Sequence, residues 1–118
     1  MLRHPSRVER ELMRGAGPVA VLQLLAAREM YGYQLVEALA RRSDGVLSMG
    51  ESTLYPLLYN LEEKGMVESR RRKSEGGRQR RYYAITADGR RWLTAQRKQW
   101  RALGRAMGLL GILAKGER

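Results

Sequence analysis

At 118 residues with no cysteine, the chain has the size of one domain with a modest core, and it carries no disulfide framework and no thiolate metal site. Its formal net charge of +11 points to a polyanionic partner. His4 is the single histidine, and no carboxylate pair, glycine-rich phosphate loop or nucleophile–base set is visible, so neither an enzyme nor a cofactor is expected.

No apolar run follows Met1-Leu2-Arg3-His4-Pro5, so no signal peptide is expected. The longest apolar-leaning stretch, 106–114, is far below the roughly 20 residues of a membrane span. The expectation is a cytoplasmic chain with no membrane partner.

Ser6-Arg7-Val8-Glu9 has the form of a capping box, with Ser6 as N-cap and Glu9 reaching back. A short first helix is expected there, interrupted by Gly15 and Gly17. Pro18 suits the first position of a following helix, because its missing N–H would be unpaired there anyway. Val19, Val21, Leu22, Leu24 and Leu25 make that helix apolar over more than half its circumference, so it should be the central buried one. Glu29-Met30-Tyr31-Gly32 breaks it. A second amphipathic helix spans 33–42, with Leu35, Val36 and Leu39 on one face, and Ser43-Asp44-Gly45 ends it.

Ser48-Met49-Gly50-Glu51 is a second capping-box pattern and opens a third helix, 51–64. Leu54, Leu57, Leu58 and Leu61 form its apolar stripe, and Gly65 is placed to terminate it in the left-handed conformation. Segments 66–73 and 80–86 have strand character, and Ser74-Glu75-Gly76-Gly77 suits the turn between them. Tyr82 and Tyr83 alternate in direction, so one should pack inward and the other face out. Thr86 can cap a last helix, with Asp88 favourable in its first turn. The pattern is mostly α with a small β-hairpin, an α+β fold. Helix, strand, glycine turn and basic strand read as the recognition half of a winged helix-turn-helix.

A helix that enters the major groove packs one face on its own core and offers the other to base edges and phosphates. Leu54, Leu58 and Leu61 supply the inner face here. Ser52, Tyr55 and Tyr59 follow along the outer one. Ser52 and Thr53 lie in the first turn, where free N–H groups and the helix dipole attract phosphate. Tyr55 offers a hydroxyl and a flat ring. Pro56 should bend or tighten the first turn and re-aim these residues. In the wing 70–82, Arg70-Arg71-Arg72-Lys73 and Arg78-Gln79-Arg80-Arg81 flank the tip. Between positions 66 and 101 there are twelve Lys/Arg and three Asp/Glu, so most of the excess charge lies in the wing and the start of the last helix. Arg78 and Arg80 share one strand face and suit a narrow minor groove.

Tyr31-Gly32-Tyr33, Thr53-Leu54-Tyr55-Pro56-Leu57-Leu58, Leu61-Glu62-Glu63-Lys64-Gly65-Met66-Val67 and the run from Gly76-Gly77-Arg78 to Ala87-Asp88-Gly89 together resemble the PadR family of transcriptional regulators. The resemblance covers roughly residues 12–110. It implies a winged helix-turn-helix (1–86, with an N-terminal helical arm) and a C-terminal dimerisation helix (87–118). It also implies a homodimer that represses transcription from a palindromic double-stranded operator. Carried over by motif, the DNA contacts are Tyr33, Ser52, Thr53, Tyr55, Gly77, Arg78, Arg80 and Arg81, with Lys73 beside them. The chain has Gln79 where the family often has proline, and Ser52 where it often has glycine.

In the last helix Leu93, Trp100, Met107 and Ala114 repeat every seven residues, and Leu103 and Leu110 fill the intermediate register. Leu93, Trp100, Leu103, Met107 and Leu110 would form a stripe exposed on a lone winged domain, for which an identical chain is the default partner. Trp92 and Trp100 are the candidate ligand residues, for a hydrophobic or aromatic effector at the dimer interface. The alternatives to a simple repressor are such an effector-gated sensor, or a winged helix that binds RNA or protein.

Overall fold

The computed structural model describes residues 8–113. Its elements run α1 (Arg10–Ala27), β1 (Met30–Tyr31), α2 (Gly32–Arg42), α3 (Glu51–Glu63), β2 (Val67–Lys73), β3 (Gln79–Ile85) and α4 (Ala87–Leu109). This is an α+β fold, four helices with one small antiparallel sheet of order β1-β3-β2.

One unbroken α1 replaces the two helices expected before residue 28. Ser6, the expected cap, lies outside the described residues, and Glu9 occupies the N-cap position. Pro18 sits inside the helix and removes the one N–H that would bond to Arg14. Packing explains why the helix continues. Gly17 is buried, and a Cβ there would lie 3.0 Å from Leu57 Cδ1, so the glycine lets α1 pass close over α3. Val21, Leu22, Leu24 and Leu25 on the same helix are buried in the core. That burial, about 1.5–3 kcal/mol for each large aliphatic side chain, outweighs one lost hydrogen bond.

The turn into α2 is fixed by Gln34, whose Oε1 accepts from the Tyr31 N–H at 3.1 Å. Leu35, Ala38 and Leu39 are its buried face. Asp44 (φ 53°) and Gly45 (φ 82°) reverse the chain after it. The second expected capping box does not form. Gly50 is the N-cap of α3, and its carbonyl accepts from both Thr53 N–H (3.1 Å) and Leu54 N–H (3.0 Å). That shared acceptor is the tightened first turn expected ahead of Pro56. Leu54, Leu58 and Leu61 are buried, whereas Leu57 is only partly so. Gly65 (φ 77°) ends α3: Met66 N–H bonds to Leu61 O and Gly65 N–H to Glu62 O, a Schellman pair.

Thr86 caps α4, accepting from Gly89 N–H at 3.0 Å while its hydroxyl donates to Gly65 O at 2.6 Å. One side chain thus ties the end of α3 to the start of α4. A second Schellman pair closes α4, with Ile112 N–H on Met107 O and Gly111 N–H on Gly108 O. The helix therefore stops at Leu109. Ala114 lies outside the described residues.

Candidate nucleic-acid interface

The core sets the direction of α3. With Leu54, Leu58 and Leu61 turned inward, Ser52, Pro56 and Tyr59 are exposed on the opposite side, and Thr53 and Asn60 are exposed on the flank that lines a groove beside α1. Pro56 has no N–H, so the Ser52 carbonyl loses its intrahelical partner and remains an open acceptor on that side. Tyr55 departs from the expected geometry. It is half-buried, and its ring and hydroxyl lie against Gly32, where no Cβ would fit. Its ring centroid is 5.9 Å from that of Tyr59. Burial, then the nearby Glu51 charge and Tyr59, push the Tyr55 phenol up, and Arg80 opposes the shift. Tyr55 is therefore first a spacer between α3 and the start of α2, and only its edge remains accessible. Tyr33, 50% exposed, follows Gly32 directly. The carboxylate of Glu37, one turn on, raises its pKa by hydrogen bonding and by charge.

The strand register sorts the wing cations into two sets. Arg72 faces Arg80, Arg71 faces Arg81, and Lys73 faces Gln79 across β2 and β3. Directly opposed like charges on one sheet face repel. Residues two apart share a face, so Arg70, Arg72, Arg80 and Tyr82 lie on one side of the hairpin, and Ser69, Arg71, Lys73, Arg81 and Tyr83 on the other.

The first side carries its own counter-ion. Glu29, between α1 and β1, receives Arg72 Nη2 at 2.7 Å and Arg70 Nη2 at 3.3 Å. The Arg72 guanidinium lies 3.7 Å over the Tyr82 ring, Tyr82 meets Tyr31 edge-on at 5.3 Å, and Arg80 lies 4.4 Å over Tyr31. The result is a ladder of two rings with a guanidinium at each end. Burial disfavours the Glu29 carboxylate, but hydrogen bonds from Arg72 and Arg70 and their charges outweigh it and hold its pKa below the usual range. Tyr82 and Tyr83 are consequently both buried, against the expectation that one would face out. Tyr83 turns into the core, and Tyr82 is roofed by Arg72 and Tyr31.

On the second side a carboxylate, Glu62, is reached only through Ser69. Arg81 Nη1 donates to Ser69 Oγ at 3.1 Å, and Ser69 donates to Glu62 at 2.8 Å. Among the described residues neither Arg71 nor Arg81 makes an ion pair, and Arg71, Lys73 and Arg81 are exposed. Arg71 was not singled out from the sequence, because only the register reveals that it opposes Arg81. At the tip, Gly77 (φ 85°) closes the turn, with Gly77 N–H on Ser74 O and Ser74 N–H on Arg78 O, both 2.9 Å. Arg78 is exposed beside it.

The apolar stripe of α4 divides in the same way. Leu93 is 1% exposed and belongs to the chain's own core, which corrects its assignment to an intermolecular stripe. Trp100, Leu103 and Leu110 are exposed, and Met107 is half-exposed. Trp92 packs on the core and lines a groove of about 560 Å³ with Met13, Leu57, Leu61 and Met66. Within one chain Trp92 and Trp100 thus occupy different surroundings. Among the described residues no group of His, Asp and Glu is placed to hold a metal ion, and no helix is long and apolar enough to cross a membrane.

Comparison with known proteins agrees with this geometry. The model of the transcriptional regulator PadR-like family matches residues 21–95. A transcriptional regulator of Mycobacterium tuberculosis is 36% identical over 96 residues, covering 81% of this chain and 86% of that protein. The crystal structure of a PadR family transcriptional regulator from Eggerthella lenta shares 36% identity with a TM-score of 0.73, covering 85% of each chain. A PadR-like transcriptional regulator from Bacillus cereus superposes with a TM-score of 0.79 at 25% identity, over 89% of this chain and 100% of that one. Winged-helix architecture and the family match converge: the chain belongs to the PadR-like family, whose members are transcriptional regulators and not enzymes.

Proposed function

We propose that the protein is a homodimeric repressor that binds a palindromic duplex operator. The start of α3 enters the major groove, and the tip and the Arg71/Arg81 side of the wing grip the flanking backbone. The observation that carries this reading is the cross-strand Arg71–Arg81 pair, which makes no ion pair among the described residues, Glu62 being reached only through Ser69, and so favours an external anion. Ser52 and Thr53 approach base edges and phosphate from the first turn of α3. Arg78, Lys73 and Arg80 add charge around Gly77, and Tyr33 lies near enough to the α2 start to meet a phosphate there. Tyr55 sets the spacing of α2 and α3 and adds its ring edge.

Trp100, Leu103, Met107 and Leu110 supply the dimer contact, extended by Leu109, Ile112 and Leu113, which are also exposed. A two-fold dimer would place two α3 helices about 34 Å apart, one turn of duplex. Selection of bound sequences from a random duplex pool tests this: a palindrome with half-sites one helical turn apart is expected. A single unpaired half-site, or preference for RNA over duplex DNA, would overturn it.

A second reading adds an effector. Trp100 is 42% exposed on the apolar stripe, so a planar hydrophobic compound held there between two chains would alter their spacing. Quenching of tryptophan fluorescence coupled to DNA release is the expected signature. Quenching that leaves DNA binding unchanged would remove the gating role.

A further inference from the structure

Glu29 lies in none of the elements that carry the proposed DNA contacts, yet it holds two wing arginines. It takes Arg72 at 2.7 Å and Arg70 at 3.3 Å, while its side chain is only 24% exposed. An isolated exposed ion pair contributes little. This one is not isolated, because Arg72 is at once bound to the carboxylate and stacked 3.7 Å over Tyr82. Releasing it would strip the cover from a buried ring as well as break a charge-assisted bond.

The opposite side of the hairpin has as many cations, Arg71, Lys73 and Arg81, and among the described residues none of them is ion-paired to a carboxylate as Arg70 and Arg72 are to Glu29. The asymmetry has a consequence for binding. Cations on both sides of a hairpin would let it dock on phosphate in either orientation. Contacts to phosphate carry no sequence information, so a second orientation adds affinity for any duplex and none for a particular one. We propose that Glu29 is a specificity-determining residue: an internal counter-ion that withholds Arg70 and Arg72 from DNA phosphate, so that the wing docks through its tip and its Arg71/Arg81 side without them. The proposal rests on the reading of the wing as a DNA contact.

The test uses the full chain and a duplex pool of mixed sequence, with affinity followed over a series of salt concentrations and folding checked by circular dichroism and thermal unfolding. For Glu29→Gln, which keeps the shape and removes the charge, two freed cations should steepen the log–log salt slope by about 1–2 per chain and tighten low-salt binding roughly tenfold. In the otherwise unaltered chain, Arg70→Gln should leave the slope unchanged, whereas Arg71→Gln should lower its magnitude by about 0.9. A folded Glu29→Gln chain with the parent slope, against a salt-sensitive parent, would defeat the role of Glu29 alone. A parent that shows no salt-dependent binding would defeat the DNA reading as well. Should Glu29→Gln fail to fold, the Arg70→Gln and Arg71→Gln pair decides, and equal losses from the two would overturn the proposal.

Discussion

The start of α3 and the wing are held in place by different forces. Three leucines, Leu54, Leu58 and Leu61, anchor α3 in the core, and Tyr55 wedges it against Gly32. The wing beyond Ser69 buries no β2 side chain. Its shape comes from the backbone ladder, the turn at Gly77 and the ring-and-arginine ladder tied to Glu29. Substitutions near α3 should therefore cost stability and function together, and substitutions on the Arg71/Arg81 side should cost function alone.

The largest effect is expected at Leu58, which is fully buried. Leu58→Ala should destabilise by about 2–5 kcal/mol in denaturant titration, because the cavity lies between packed elements. A cost below about 1 kcal/mol would show that α3 is not core-anchored. Gly32→Ala comes next. Its Cβ would meet the Tyr55 hydroxyl and ring, so Tyr55 must shift, at about 1–3 kcal/mol. Gly32→Ala combined with Tyr55→Leu should recover much of that loss if Tyr55 is the obstacle.

Tyr83 gives a pH-dependent test. It is fully buried, its hydroxyl has no hydrogen-bond partner among the described residues, and burial pushes its phenol up to about 12. The unfolded chain ionises near 10, before the folded one does, so stability should fall as pH rises from about 10 through 12. Tyr83→Phe removes the unpaired hydroxyl. It should unfold at an equal or higher temperature at neutral pH and lose this alkaline decline. Smallest is Thr86→Ala, which removes the α4 cap and the tie to Gly65 and should cost about 1 kcal/mol.

The helical layout was legible because its signals are local. The apolar stripe of α3, the Gly65 terminator and the Thr86 cap each operate within one turn. The interruption expected at Gly15, Gly17 and Pro18 failed because a long-range contact, Gly17 against Leu57, made the glycine an asset to a continuous helix. Tertiary contacts likewise produced β1, only Met30–Tyr31, which pairs with Tyr83 and Tyr82 and has no strand pattern of its own. The basic wing was visible as a run of arginines. Its division into a side ion-paired to Glu29 and a side without an ion pair was not, since that depends on the register of β2 against β3 and on Glu29, more than forty residues away in sequence. Leu93 fits a heptad with Trp100, and only packing shows that α4 begins inside the core and then leaves it.

The central claim is that the Arg71/Arg81 side of the wing supplies the electrostatic grip on duplex DNA. The most direct measurement is the salt dependence of duplex binding for the parent chain and for the Arg71→Gln, Arg81→Gln double variant, with thermal unfolding recorded for both. The account predicts that the slope falls in magnitude by about 2 per chain while the unfolding temperature stays within error. A folded double variant with the parent slope would contradict it.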